Sequence, residues 1–430
     1  MVEVVKMASR FRYDYRMKRS RDNLVLGVVF LLIFILESMF FREETSASVR
    51  GAIAFAISFL YAFFICKVRI INKRVLHMLM IMLFVRCLNW VFYGINTEYD
   101  IYNIVIWTIA ALFVSSISFE KFSKAYIKVL SSIGLVSSIL FVVRIVYPRL
   151  LSYLPVYRGW HGDGVFTNAI LGICDLSSNN VRNYGVFYEP GLHGIFQCIA
   201  LYILLFREEK INLFYLICIS LGILTSLSTN GLISAFFLVI AYIFDSNVIN
   251  IRQKKNILRC LVTGIILLII YLYKNPHAFS YLFGKFSEMR ISSVHSMNST
   301  DVGSGYERLR SVVYSAQILV LNPLFGCGWQ AFIEKFNNII STFTPLNWLC
   351  LYGWPVGIML NYYYVRYEIK CKRNPWSKTL LILFMFTLIM TQNLYNDVII
   401  IIFILYNVNS SNLSKNYKME GIQHYGEKIY

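Results

Sequence analysis

Four arginines lie in the two long polar segments that interrupt the apolar runs of this chain. Arg182 is in the segment 148–185, and Arg290, Arg308 and Arg310 are in the segment 274–344. A guanidinium keeps its charge at any working pH and offers a planar fork of donors that matches phosphate oxygens. Arg182 and Arg308 are our first candidates for binding a diphosphate, with Arg290 and Arg310 in reserve. The alternative is that about half of these arginines are ordinary solvated side chains.

Glu189 is the first candidate for a general base. It lies seven residues after Arg182, at the start of an apolar run, where desolvation would raise its pKa. A carboxylate paired with a nearby arginine is an equally good explanation. Weaker candidates on the same segments are Asp163, His161, His193 and His295.

The stretch YRGWHGDGVF places Trp160 among short polar residues. Such a pattern is typical of sugar binding, because the apolar face of a pyranose stacks on a ring while small polar side chains bond its hydroxyls. Membrane interfaces also enrich Trp and Tyr. Trp160 is therefore a candidate sugar contact or an interfacial anchor.

The composition defines the environment in which these residues act. The chain has 430 residues, of which 57% are hydrophobic and 15% charged. That is more apolar surface than one soluble core buries, so we expect a lipid bilayer to be the main solvent. The net charge of +18 is spread over short gaps rather than one basic face, so we expect no nucleic-acid partner.

The fold class predicted is all-α, a polytopic bundle of about twelve transmembrane helices with two long outer loops containing short helices. The predicted helices are 24–41, 51–70, 75–93, 101–119, 126–147, 186–206, 211–228, 230–249, 257–273, 345–366, 378–395 and 397–409. Each is long enough, or nearly so, for a hydrocarbon core that needs roughly 20 residues per crossing.

Alternation of charge predicts the orientation. The N-terminal segment and every second gap are rich in Lys and Arg, which places them in the cytoplasm. The chain then divides into a basic N-terminus at 1–23, helices over 24–147, a first outer loop at 148–185, helices over 186–273, a second outer loop at 274–344, helices over 345–409 and a tail at 410–430. Both termini are predicted to be cytoplasmic.

The second long loop carries its own helix signals. Ser304 and Glu307 form a capping box, and apolar residues follow at helical spacing. Asn322 and Pro323 should end this amphipathic helix, and Gly326 and Gly328 should permit a tight return of the backbone.

Two further expectations concern buried groups. Glu37 and Arg86 fall in the outer halves of their predicted spans, and we expect them to pair, because isolated charges are costly in a bilayer. Cys174 and Cys327 fall in the two outer loops, where two free thiols are favoured over a disulfide. The cysteine and histidine spacing predicts no metal site.

Three stretches, together with the topology, resemble the O-antigen polymerase and O-antigen ligase superfamily of bacterial membrane glycosyltransferases. They are VRNYGVFYEPGLHG with Arg182, ERLRSVVYSAQILVLNPLFGCG with Arg308, and PLNWLCLYGWPVG with Asn347. Ligases of this superfamily usually carry His-Asn in the third stretch. Here Leu346 occupies the histidine position, which favours the polymerase branch.

The resemblance implies a GT-C-like fold in the bacterial cytoplasmic membrane and a metal-independent glycosyltransferase without a cofactor. Its substrate would be an oligosaccharide linked to polyprenyl (undecaprenyl) diphosphate, polymerised for O-antigen, capsule or exopolysaccharide. It also implies Asn347 as a substrate contact, and a chain-length regulator and a flippase as partners. The alternatives are a ligase-type transferase and a flippase for the same lipid-linked unit.

Overall fold

The chain folds as a bundle of helices. The computed structural model describes residues 22–68, 71–158, 165–176, 181–246, 304–336 and 341–409, and six single helical positions between 252 and 274. Within these ranges the predominantly helical class is confirmed, with one small sheet in addition. The predicted helix 257–273 and the termini lie outside the described residues, apart from those single positions.

The helices of the first half follow the predicted spans closely. They are α1 (22–37), α2 (Met39–Glu44), α3 (Ala47–Leu60, continued by a π-helical turn at Tyr61–Ile65), α4 (Lys73–Tyr93), α5 (Thr97–Ser116) and α6 (Phe119–Val146). Ser46, Asn72, Asn96 and Ser118 cap the N-termini of α3 to α6 through their side chains.

The second half contains α7 (Pro190–Phe206), α8 (Leu213–Ser226), α9 (Thr229–Asp245), α10 (Ser304–Leu321), α11 (Gly328–Phe336), α12 (Thr344–Lys370), α13 (Pro375–Met390) and α14 (Val398–Asn409). α10 ends before Asn322, so the end predicted for the amphipathic helix is confirmed, whereas the residues before Ser304 lie outside the described ranges. Gly326 and Gly328 adopt φ of 71° and 66°, as a tight return requires.

Four helical segments in the described ranges are long and apolar enough to cross a membrane: Ala47–Ile65, Lys73–Tyr93, Glu98–Ser116 and Phe119–Val146. They indicate a membrane protein. Other apolar helices are shorter; α14, at 12 residues, spans about 18 Å of a hydrocarbon core of about 30 Å. The count of twelve crossings therefore stays a prediction.

Two helices form the centre of the bundle. Nearly every residue of α7 and of α14 is buried. A helix that is apolar all round belongs in such a position. Large apolar side chains are instead exposed on the outer helices, as at Val91 (79%) and Phe64 (70%), where they are suited to contact with lipid.

The first long loop contains a three-stranded antiparallel sheet that the sequence analysis did not predict. A 3-10 helix at Pro148–Tyr153 leads to β1 (Val156–Arg158), β2 (Val165–Asn168) and β3 (Ile173–Asp175), in the order β1-β2-β3. Strands of three or four residues are too short to produce a readable alternation of apolar and polar residues.

The connections collect at two ends of the bundle. We call one the loop end; it contains the described residues within 38–46, 94–96, 147–189, 227–228, 322–343 and 391–397. We call the other the basic end; it contains the described residues within 66–72, 117–118, 207–212 and 371–374. Hydrogen bonds join gaps of the same end, such as Met39 N to Val186 O at 2.9 Å and Arg373 to Phe206 O at 2.9 Å. The predicted alternation of basic and acidic gaps divides these connections into the same two groups.

Candidate functional site

A cavity of about 390 Å³ opens at the loop end. It lies where α1, α2, α3 and α5 meet the residues before α7 and the turn before α14. Its lining is unusually rich in ionisable side chains: Glu37, Arg42, Arg50, Tyr188 and Asp397. We call it the loop-end cavity.

Arg42 is held over an aromatic ring at the wall of the loop-end cavity. The short helix α2 begins at Ser38, whose hydroxyl accepts from Phe41 N at 3.4 Å, and it carries Arg42 in its last turn. The Arg42 guanidinium carbon lies 3.6 Å from the centre of the Tyr188 ring. A cation–π contact of this kind orients a guanidinium without neutralising its charge.

Arg50 shapes the same corner but is occupied by the backbone. Its Nη1 donates to the carbonyl oxygens of Arg42 at 3.1 Å and Thr45 at 2.7 Å, and the residue is buried. Its role is to satisfy the carbonyls at the C-terminus of α2 and so hold α2 against α3. Arg42 is therefore the arginine better placed to meet a ligand.

Two carboxyl groups face these arginines. Glu37, at the end of α1, interacts electrostatically with Arg42, Arg50 and Asp397. Asp397 Oδ1 accepts from the backbone N–H groups of Ile399 at 2.9 Å and Ile400 at 3.0 Å, which caps α14. Its buried Oδ2 receives no hydrogen bond from an N–H or hydroxyl group of the described residues, and the Glu37 carboxyl lies within hydrogen-bonding reach of Asp397. This oxygen is available to accept a proton.

Neither Glu189 nor Arg182 is among the residues that line the loop-end cavity. Glu189 Oε2 accepts from Gln392 Nε2 at 3.0 Å. Arg182 donates from Nε to Ser226 O at 3.3 Å and from Nη2 to Leu227 O at 3.1 Å, so it caps the C-terminus of α8. The structure does not test the chemical roles predicted for either residue.

Other predicted site residues are placed only in part. Arg310 is half-buried and its guanidinium carbon lies 5.3 Å from the Tyr314 ring centre. Asn347 is buried, accepts from the Ser341 hydroxyl and donates to Ser341 O at 3.3 Å, so it fixes the start of α12. Arg290, Trp160 and the side chain of Arg308 lie outside the described residues.

Two of the three stretches that carry the family resemblance, those with Arg308 and with Asn347, pack together. Cys327 N donates to Cys350 O at 2.8 Å, and Trp354 N donates to Pro323 O at 2.7 Å. These bonds fill a break in α12 at Gly353, which adopts φ of 79° and ψ of 172°. The turn between α10 and α11 thus satisfies backbone groups that the broken helix leaves open.

The predicted pair of Glu37 with Arg86 is wrong. Arg86 is buried and pairs with Asp100, Nη1 to Oδ1 at 3.1 Å, and also donates to Asn103 and Tyr352. Asp100 follows α4 in the first turn of α5, and the α4–α5 hairpin brings the two side chains together. Glu37 instead belongs to the loop-end cavity.

Sequence reasoning missed Arg42 and Asp397 as site residues. Both belong to short outer gaps, REETSASVR and LYND, which served only as evidence of orientation. The available signal was an ionisable residue directly beside an apolar run, which is costly unless it is paired or functional. Cys174 and Cys327 form no disulfide with each other, as favoured.

No protein-family model matches the chain, and no curated protein is significantly similar to it. Among the described residues no cluster of His, Cys, Asp or Glu could hold a metal ion. The side chains of the loop-end cavity offer a guanidinium for anionic oxygens, carboxylates for protons and hydroxyls, and tyrosine rings for stacking.

Proposed function

We propose that this chain is a polysaccharide polymerase. It transfers a glycan from a polyprenyl diphosphate carrier to a hydroxyl of a second lipid-linked repeat unit. The observation that carries the proposal is the loop-end cavity, where Arg42, which is suited to phosphate, shares a single space with the carboxyls of Glu37 and Asp397 and the exposed Glu98, at the end of the bundle predicted to face outwards.

The reaction assigns a role to each group. The acceptor hydroxyl oxygen forms a bond to the anomeric carbon of the donor glycan, and the bond from that carbon to the diphosphate oxygen breaks. The leaving diphosphate keeps the electron pair, and Arg42 stabilises its charge. Asp397 Oδ2 takes the proton of the attacking hydroxyl, which makes that oxygen a better nucleophile.

The position of the cavity suits amphiphilic substrates. It opens at the loop end beside the ends of α1 and α3, so a polar head group can enter while its polyprenyl chain stays in the bilayer. Tyr99, Tyr102 and Tyr188 line the cavity and offer rings on which sugars stack. The volume of about 390 Å³ is within the usual range for small-ligand pockets.

A flippase for the same lipid-linked unit is the second candidate, and the break in α12 favours it. Transporters bind substrates at discontinuous helices near the middle of the bilayer. Here, however, the turn at residues 323–327 already forms hydrogen bonds with the backbone groups beside Gly353, so those groups are not open to a substrate. A ligase-type transferase is less favoured because Leu346 stands where ligases carry histidine.

Deletion of the gene, followed by gel analysis of the surface glycan, tests the proposal. A polymerase predicts single-repeat glycans in the deletion strain and restored long chains on complementation. Loss of all carrier-linked glycan outside would indicate a flippase, and free long polymer would indicate a ligase. Both of those outcomes contradict the proposal.

A further inference from the structure

A second cavity, of about 460 Å³, lies near the basic end, between α4, α12 and α14. Arg74, His77 and Arg366 contribute its polar wall, and no Asp or Glu is among the described residues that line it. We call it the basic-end cavity. It is far along the helices from the loop-end cavity and takes no part in the proposed reaction.

Arg74 and His77 present one basic face at the start of α4. They are three residues apart, so they lie on the same side of the helix, and both are exposed. The N-terminus of a helix carries a partial positive charge that adds to theirs. Within the described part of the chain, Arg74 forms no ion pair.

Arg366 completes the polar wall from α12. Its Nη1 donates to Asn407 O at 2.8 Å, and its guanidinium carbon lies 5.2 Å from the Tyr363 ring centre. Its buried Nε has no hydrogen-bond partner among the described residues. The bond from Nη1 and the contact with the ring fix the guanidinium at the wall of the cavity, across from the basic face of α4.

The remaining wall is apolar. Met78, Ile81 and Met359 line the cavity, and Ile81 is 39% exposed. Beside it on α4, Met80 is 57% exposed on a surface suited to lipid tails. A soluble anion would gain nothing from the apolar wall. A lipid can place its phosphate against the basic wall and its acyl chains along the apolar one at the same time.

We propose that the basic-end cavity binds the head group of an anionic phospholipid from the adjoining leaflet. Arg74 and His77 contact the phosphate diester, Arg366 donates to its free oxygens, and the acyl chains run along α4. Basic pockets between transmembrane helices are suited to such head groups because charge and hydrophobic contact act together. This inference does not depend on the polymerase proposal.

Native mass spectrometry of the purified full chain with added phosphatidylglycerol tests the inference. We expect Arg74→Gln to weaken lipid retention about fivefold, the usual effect of one basic residue near an anionic head group. The matched control is Lys73→Gln, since Lys73 is exposed on the same turn but does not line the cavity. It should retain lipid as the wild type does. His77→Gln removes a second basic side chain from the cavity and serves as the test if the Arg74 variant folds poorly.

Two further arms identify the source of the phosphate. Phosphatidylcholine, whose ammonium offsets its phosphate, should be retained less than phosphatidylglycerol. Inorganic phosphate should fail to displace bound phosphatidylglycerol. Equal losses in Arg74→Gln and Lys73→Gln, equal retention of both lipids, or displacement by phosphate alone would each overturn the inference.

Discussion

The guanidinium carbon of Arg42 lies 3.6 Å from the centre of the Tyr188 ring, and this contact joins two parts of the chain that are far apart in sequence. Arg42 belongs to the corner between α1 and α3, whereas Tyr188 belongs to the stretch that leads into α7. A phenol is neutral at physiological pH, so the Tyr188 ring attracts the guanidinium through its π face. The arginine is thus oriented without losing its charge.

Replacing Arg42 tests the predicted contact with the diphosphate. Arg42→Ala should lower polymer formation by about 10²–10³, the usual effect of removing one donor that stabilises developing negative charge. Arg42→Lys should recover only part of the activity, because an ammonium lacks the planar fork. Glycan chain length in a complemented deletion strain measures both.

The control for Arg42 is Arg149→Ala. Arg149 is an exposed arginine at the same end of the bundle, and it does not line the loop-end cavity. Its replacement should leave chain length unchanged. If both alanine variants are equally active while present at normal levels in the membrane, Arg42 has no role in transfer.

Asp397→Asn tests the general base. Asn keeps an oxygen that can cap α14, so the fold should persist, but it cannot accept the proton. We expect a rate loss of about 10²–10⁴. Glu98→Gln is the control, since Glu98 lines the same cavity as an exposed carboxylate. An unchanged rate and pH profile in Asp397→Asn would exclude it as the base.

Asp100→Asn tests the buried ion pair. Asp100 accepts from Arg86 at 3.1 Å and from Trp90 Nε1 at 2.9 Å, and both charged side chains are about 2% exposed. Loss of the carboxylate leaves a buried guanidinium uncompensated, so we expect the free energy of unfolding to fall by about 3–5 kcal/mol. Denaturant titration of the purified protein measures it. Glu98→Gln, on the same helical turn, should change stability little.

Gly353→Ala tests the break in α12. The combination of φ 79° and ψ 172° is open essentially to glycine alone and costs a residue with a side chain about 1–3 kcal/mol. An added Cβ would also overlap the carbonyl oxygen of Leu324. We expect a lower midpoint of thermal unfolding. Gly27→Ala, in open space within α1, should be neutral or stabilising, and equal effects of the two changes would contradict the described backbone.

Local features of this fold could be predicted from the sequence. Capping residues and apolar runs placed most helices within a few residues, and Asn322 with the following glycines correctly predicted the end of α10. The alternation of basic and acidic gaps grouped the connections into two ends. These features depend on neighbouring residues and on the cost of carrying charge across lipid, both of which a single sequence records.

The candidate site could not be predicted in the same way. Arg42, Tyr188 and Asp397 meet only because the segments that adjoin α1, α7 and α14 come together at the loop end, and their spacing along the chain carries no periodic signal. The partner of Arg86 was missed for a related reason. Several carboxylates lay within reach of the predicted spans, and only the α4–α5 hairpin selects Asp100.

Reconstitution tests the central claim most directly. The purified chain, in lipid nanodiscs, would be given the polyprenyl diphosphate-linked repeat units extracted from the deletion strain, and the products would be separated by size. We expect a ladder of longer glycans, with one polyprenyl diphosphate released for each linkage formed, and loss of that ladder in Asp397→Asn. Recovery of the repeat units unchanged with an intact, folded wild-type chain would contradict the account.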